Sequence, residues 1–194
     1  MTTSYEKALT LIDDAHAQDT KTILVDGKEI PYELHYARKM SHYLSLRCPE
    51  ASQTLRLAIR SQHFRRWEVK RDSYPMTRAG YHSWRTFLNK RQAEQASQIC
   101  KDAGYSDEDA ERVARLIRKE GMKTDEETQI LEDVACLVFL DDQFGDFEKE
   151  HSEEKIIGIL KKTWAKMSDH GHELALKIPM DTRAQDLIRR ALET

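Results

Sequence analysis

The stretch TDEETQILEDVACLVFL, residues 124–140, decides how the chain is read. Ile130, Val134, Leu137 and Val138 recur at helical spacing and mark one inner face. Thr124-Asp125-Glu126-Glu127 ahead of them has the pattern of a capping box, so a helix begins there. Asp133 stands three residues after Ile130 and four before Leu137, on the apolar face itself. A carboxylate takes such a place only with a cation, an arginine or a cage of hydrogen bonds to offset its desolvation. The neighbouring helices supply histidines, which suit a metal, and arginines, which suit an ion pair.

Outward from that helix, the rest of the chain reads the same way. Helices are expected over 4–17, 32–47, 49–63, 77–103, 106–121, 155–167 and 182–192. Pro31 fits a first helical position, Gly104 a helix stop, and Ser106 a helix start. Between residues 22 and 30, Asp26-Gly27 lies between apolar residues and predicts a small hairpin. Residues 64–76 are too polar and too mixed for a core element, and His170-Gly171-His172 reads as loop. Only 7 glycines and 4 prolines punctuate 194 residues, which favours long helices. The expected fold is all-α: a single helical bundle over 1–194, with 152–194 as a helical C-terminal extension.

Composition excludes several classes. Cys48, Cys100 and Cys136 form no CxxC pair, so neither a zinc ribbon nor a redox dithiol is supported, and three reduced thiols are expected. No basic-then-apolar leader opens the chain and no apolar run approaches ~20 residues, so a cytoplasmic protein without a membrane span is expected. GxxxxGK[ST], GxGxxG and GxSxG are all absent.

Charge is unevenly spread. The total is −3, which does not mark a general nucleic-acid binder. Residues 56–91, however, hold ten bases against two acids, a balance of +8, and leave −11 to the remainder. Phe64, Trp67, Tyr74, Tyr81, Trp84 and Phe87 are interleaved with them. Arginine suits bidentate recognition of phosphate, and an aromatic beside it stacks on a ring. Arg65, Arg66, Trp67, Arg78 and Arg85 are the candidate anion-binding residues, for a phosphate-containing small molecule. RNA is the weaker reading, because the patch is short and the rest of the chain acidic.

His35, His63 and Asp133 fall on three separate predicted helices, 28 and 70 residues apart. With the surrounding ELHYARKM, LRLAIRSQH and LEDVACLVFL, this order resembles the HD superfamily of helical metal-dependent phosphohydrolases, whose pattern is a histidine, a His-Asp pair and a distant aspartate. The pair here is Gln62-His63, so a ligand histidine is replaced by an amide. The resemblance implies an HD-like fold with one divalent ion (Zn, Mn, Fe or Ni) on His35, His63 and Asp133, and hydrolysis of a phosphoester. With the pair altered, the alternative is a non-catalytic nucleotide- or anion-binding module. SQHFRRW, RDSYPMTRAGYHSWR and LEDVACLVFL further resemble the domain-of-unknown-function family numbered 4202 along nearly all of the chain, a likeness that supplies no activity.

Overall fold

The computed structural model describes residues 2–122 and 124–193. They form an all-α fold with one two-stranded hairpin. Helix α1 (Ser4–His16) opens with a capping box between Thr3 and Glu6. Strands β1 (Thr22–Val25) and β2 (Lys28–Pro31) pair antiparallel, with Val25 opposite Lys28. Asp26 and Gly27 both take positive φ at their turn, the conformation an Asp-Gly pair tolerates. Pro31 ends β2 as the N-cap of α2 (Tyr32–Arg47) rather than as its first helical residue.

The next helix, α3, is shorter than the expected 49–63. It covers Gln53–Arg60, because the Ser52 hydroxyl accepts the Leu55 N–H and fixes the start four residues late. Residues 64–76 hold two single 3₁₀ turns, Arg66–Glu68 and Arg71–Ser73. Helix α4 (Arg78–Ala103) is capped by Thr77 and stopped by Gly104 at φ +99°. Helix α5 (Asp107–Ile117) follows its Ser106 cap and ends before the expected Gly121. Helix α6 (Glu126–Val138) is capped by Asp125, not Thr124. It runs into a π turn, Phe139–Gln143, and then α7 (Phe144–Glu150). Helices α8 (Glu153–Trp164), α9 (Asp169–Ala175) and α10 (Thr182–Leu192) complete the chain. The His170-Gly171-His172 segment therefore lies in a helix rather than a loop, because Ser168 caps it by accepting the Gly171 N–H.

One buried apolar cluster runs from Ala8 and Ile12 of α1 to Leu187 and Ala191 of α10. Helix α2 packs against α3 and α6, α4 against α1 and α5, and α8 against α10. The cysteines are free, and burial pushes the Cys100 and Cys136 thiols up to about 11 and about 12. Among the described residues no helix is long and apolar enough to cross a membrane.

Asp133 is wholly buried within this core. Its Oδ2 accepts from Arg47 Nε (2.8 Å) and Ser168 Oγ (2.5 Å). Its Oδ1 accepts from the Ser168 N–H (2.8 Å) and Gln129 Nε2 (3.0 Å). The carboxylate that the sequence places on an apolar face is thus offset by an arginine and a hydrogen-bond cage, joining α2, α6 and the start of α9. Only glycine fits at 171, since a Cβ there would lie 2.8 Å from Asp133 Oδ1. Removing one partner of a buried pair strands the other. Asp133→Ala is expected to destabilise the fold by about 3–5 kcal/mol, lowering Tm by about 10 °C. Calorimetry showing an unchanged Tm would contradict this role.

Candidate functional site

The site begins where β2 becomes α2. Pro31 offers no side-chain cap, so Asp19 supplies one from outside: its Oδ2 accepts the Glu33 N–H at 3.1 Å. Asp19 Oδ1 accepts the Lys21 N–H at 3.0 Å, and Lys21 Nζ lies 4.1 Å from the centre of the Tyr32 ring. These contacts fix the first turn of α2, which carries Tyr32, Glu33, His35 and Tyr36.

The carboxylate that meets His35 is Asp142. His35 Nε2 is 3.0 Å from Asp142 Oδ1. Tyr32 donates its hydroxyl to Asp142 Oδ2 at 3.2 Å, and accepts from Gln143 Nε2 at 3.2 Å. Lys39 Nζ reaches Asp141 Oδ2 at 2.7 Å and Asp142 Oδ1 at 3.5 Å. Burial, reinforced by the neighbouring carboxylate, pushes the Tyr32 phenol up to about 12. Nine residues separate Asp133 from Asp142. At ~100° each they would end half a turn apart. The π turn advances less per residue and brings Asp142 back toward α2.

His63 belongs to a strained loop. It has φ +61° and Arg65 has φ +50°, both uncommon for side-chain-bearing residues. The turn stacks the His63 ring on Tyr36, with centroids 4.2 Å apart and planes 9° from parallel. Arg66 Nη1 is 2.8 Å from His63 Nε2. A guanidinium only donates, so Nε2 accepts and the proton of the neutral ring resides on Nδ1. Nδ1 in turn lies 4.0 Å from Glu33 Oε2. Burial first, and Arg66 second, hold His63 well below the usual histidine range. Burial also pushes the Glu33 carboxyl up to about 8, against the attraction of Arg66. At neutral pH the pair is therefore a neutral imidazole facing a carboxylic acid, an arrangement typical of functional sites.

A cleft of about 450 Å³ opens beside these groups. Its lining includes Asp19, Lys21, Tyr32 and Glu33 from around the hairpin, Arg66, Trp67, Lys70, Arg71 and Asp72 from the loop, and Trp84 from α4. The Arg66 guanidinium is 4.8 Å from the Trp84 ring centre. Of the anion-binding residues expected from sequence, Arg66 and Trp67 line this cleft. Arg65 turns aside to Glu68 at 3.6 Å. Arg78 is exposed at the start of α4, and Arg85 is exposed and donates to the Tyr81 hydroxyl at 3.3 Å. Lys21, Glu33, Lys70 and Arg71 are the lining residues that sequence reasoning missed. Lys21 and Glu33 flank the predicted hairpin, while Lys70 and Arg71 lie in the basic segment, and those were the available signals.

The expected ligand set is not brought together. Asp133 pairs with Arg47, which follows His35 by twelve residues in α2, about 18 Å of helix rise. His35 goes to Asp142 and His63 to Arg66. Among the described residues no three His, Cys, Asp or Glu side chains gather as a set that could hold a metal ion.

The family model described as "Domain of unknown function (DUF4202)" matches residues 6–188. No curated protein and no solved structure matches the chain.

The state of Glu33 has a stability consequence. Its pKa is raised in the fold, so the folded chain retains a proton that the unfolded chain releases near 4.5. The stabilisation is complete below 4.5 and is lost as pH rises to about 8. Relative to Glu33→Gln, the Tm of the natural chain is expected to fall between pH 5 and 8 and then run parallel. Coincident pH profiles for the two proteins would show that Glu33 ionises normally.

Proposed function

This chain belongs to the DUF4202 family, and we propose that its cleft binds a phosphate-bearing small molecule, with a planar ring as part of that ligand. The observation that carries the reading is Arg66. It lines the cleft while one N–H is held by His63 and its face by Trp84, so it is positioned before any ligand arrives. Lys21 and Lys70 add positive charge to the lining, and Trp67 adds a stacking surface.

We read the domain as a degenerate HD-like one. The resemblance runs through His35, Gln62-His63 and Asp133, but the aspartate that meets His35 is Asp142, nine positions further on. The donor set does not fit a divalent ion. Asp142 Oδ1 already serves His35 at 3.0 Å and the Lys39 ammonium at 3.5 Å. Binding, rather than metal-assisted hydrolysis, is what these residues support.

Isothermal titration with a panel of mononucleotides tests the reading. Adenosine monophosphate is expected to bind without turnover. Arg66→Ala is expected to weaken it about tenfold to a hundredfold, the effect of losing a charge-assisted contact. An Arg66→Ala protein that binds the panel as well as the natural chain would remove the basis for this function.

A further inference from the structure

We infer that Glu33 enters the cleft as a neutral carboxylic acid whose O–H is donated to a phosphoryl oxygen of the ligand. The inference rests on the cleft being the phosphate site proposed above, and it assigns one contact within that site.

The geometry leaves Glu33 incomplete. The residue is 5% exposed, and its buried Oε2 has no hydrogen-bond partner among the described residues. A buried carboxylate takes a cation in contact or gives up its charge. The groups facing it come from each neighbouring element. Asp19 and Lys21 lie ahead of the hairpin, Tyr32 and Tyr36 share its helix, and His63 and Arg66 lie on the strained loop. His63 Nδ1, which carries the ring proton, lies 4.0 Å from Oε2, too distant for a hydrogen bond. The Asp19 carboxylate oxygens already accept from the N–H groups of Lys21 and Glu33. Oε2 thus has no hydrogen-bond partner among the described residues, while Lys21, Arg66, Lys70 and Arg71 outnumber the carboxylates in the cleft lining.

Such a donor adds a hydrogen bond to an oxyanion without adding charge. Once ionised it would repel the same ligand from the same position. Burial pushes the carboxyl up to about 8, which sets where that reversal falls.

The test is titration of adenosine monophosphate into the natural chain, Glu33→Gln and Arg66→Ala. Its phosphate loses the second proton near pH 6, so between pH 7 and 9.5 the ligand's charge is fixed. For the natural chain, Kd is expected to rise about tenfold per pH unit above about 8. Glu33→Gln keeps an N–H donor and cannot ionise, so its Kd is expected to change less than twofold between pH 7 and 9, whatever its level at pH 7. A flat profile for the natural chain, or an equal loss in Glu33→Gln, overturns the inference. Carbon-13 titration of the Glu33 carboxyl in ligand-free protein gives a second reading. A midpoint in the ordinary carboxylate range overturns the inference even where the nucleotide binds. Binding indifferent to Arg66→Ala overturns the phosphate-site reading instead, and no nucleotide binding at any pH overturns both.

Discussion

The buried pair between Arg47 and Asp133 is the constraint around which the molecule is arranged. A carboxylate with no exposure cannot be left unpaired, and Arg47 reaches it only if the end of α2 lies against α6. Ser168 closes the cage with its backbone and its hydroxyl, and so fixes the start of α9 as well. The opposite end of α2 has its own polar clamp, His35 and Tyr32 on Asp142. One 16-residue helix is therefore held at both ends by carboxylates from the α6 segment. Its first turn, carrying Glu33 and Tyr36, is presented to the cleft in one position.

Desolvation then organises the chemistry of that turn. The same burial that drives Glu33 toward its acid form drives His63 toward its neutral form. Arg66 acts on both in one direction, favouring loss of a proton from each. It also selects the His63 tautomer by occupying Nε2. The positive φ values at His63 and Arg65 are the local cost of turning the imidazole onto Tyr36 and Arg66 into the cleft.

Long periodic helices and their punctuation were legible in the sequence. The all-α class, the Asp-Gly hairpin, α2 and α10 follow from spacing and turn chemistry. Asp133 was legible as an anomaly, because a charge on an apolar face is visible in one dimension, but its partner was not. Arg47 and Ser168 come from distant segments, and no local pattern separates an arginine cage from a metal there. The basic segment was legible as a charge excess only. Which arginine turns inward depends on two left-handed residues that carry side chains, and no glycine announces them. Helix α9 was hidden because its seven residues are too few to show a period.

The π turn at Phe139–Gln143 gives the winding of that segment a meaning separate from its composition. Rewinding that turn as ordinary α-helix, with its length unchanged, would involve no loss of helix-forming character. Asp142 would then swing away from His35 and Tyr32, and the near end of α2 would lose its anchor while the Asp133 end kept its own. Two chains nearly identical in amino-acid content could thus share this core and differ in whether Asp142 meets the first turn of α2. How the backbone winds between Asp133 and Asp142 therefore sets this contact as much as the identity of either residue.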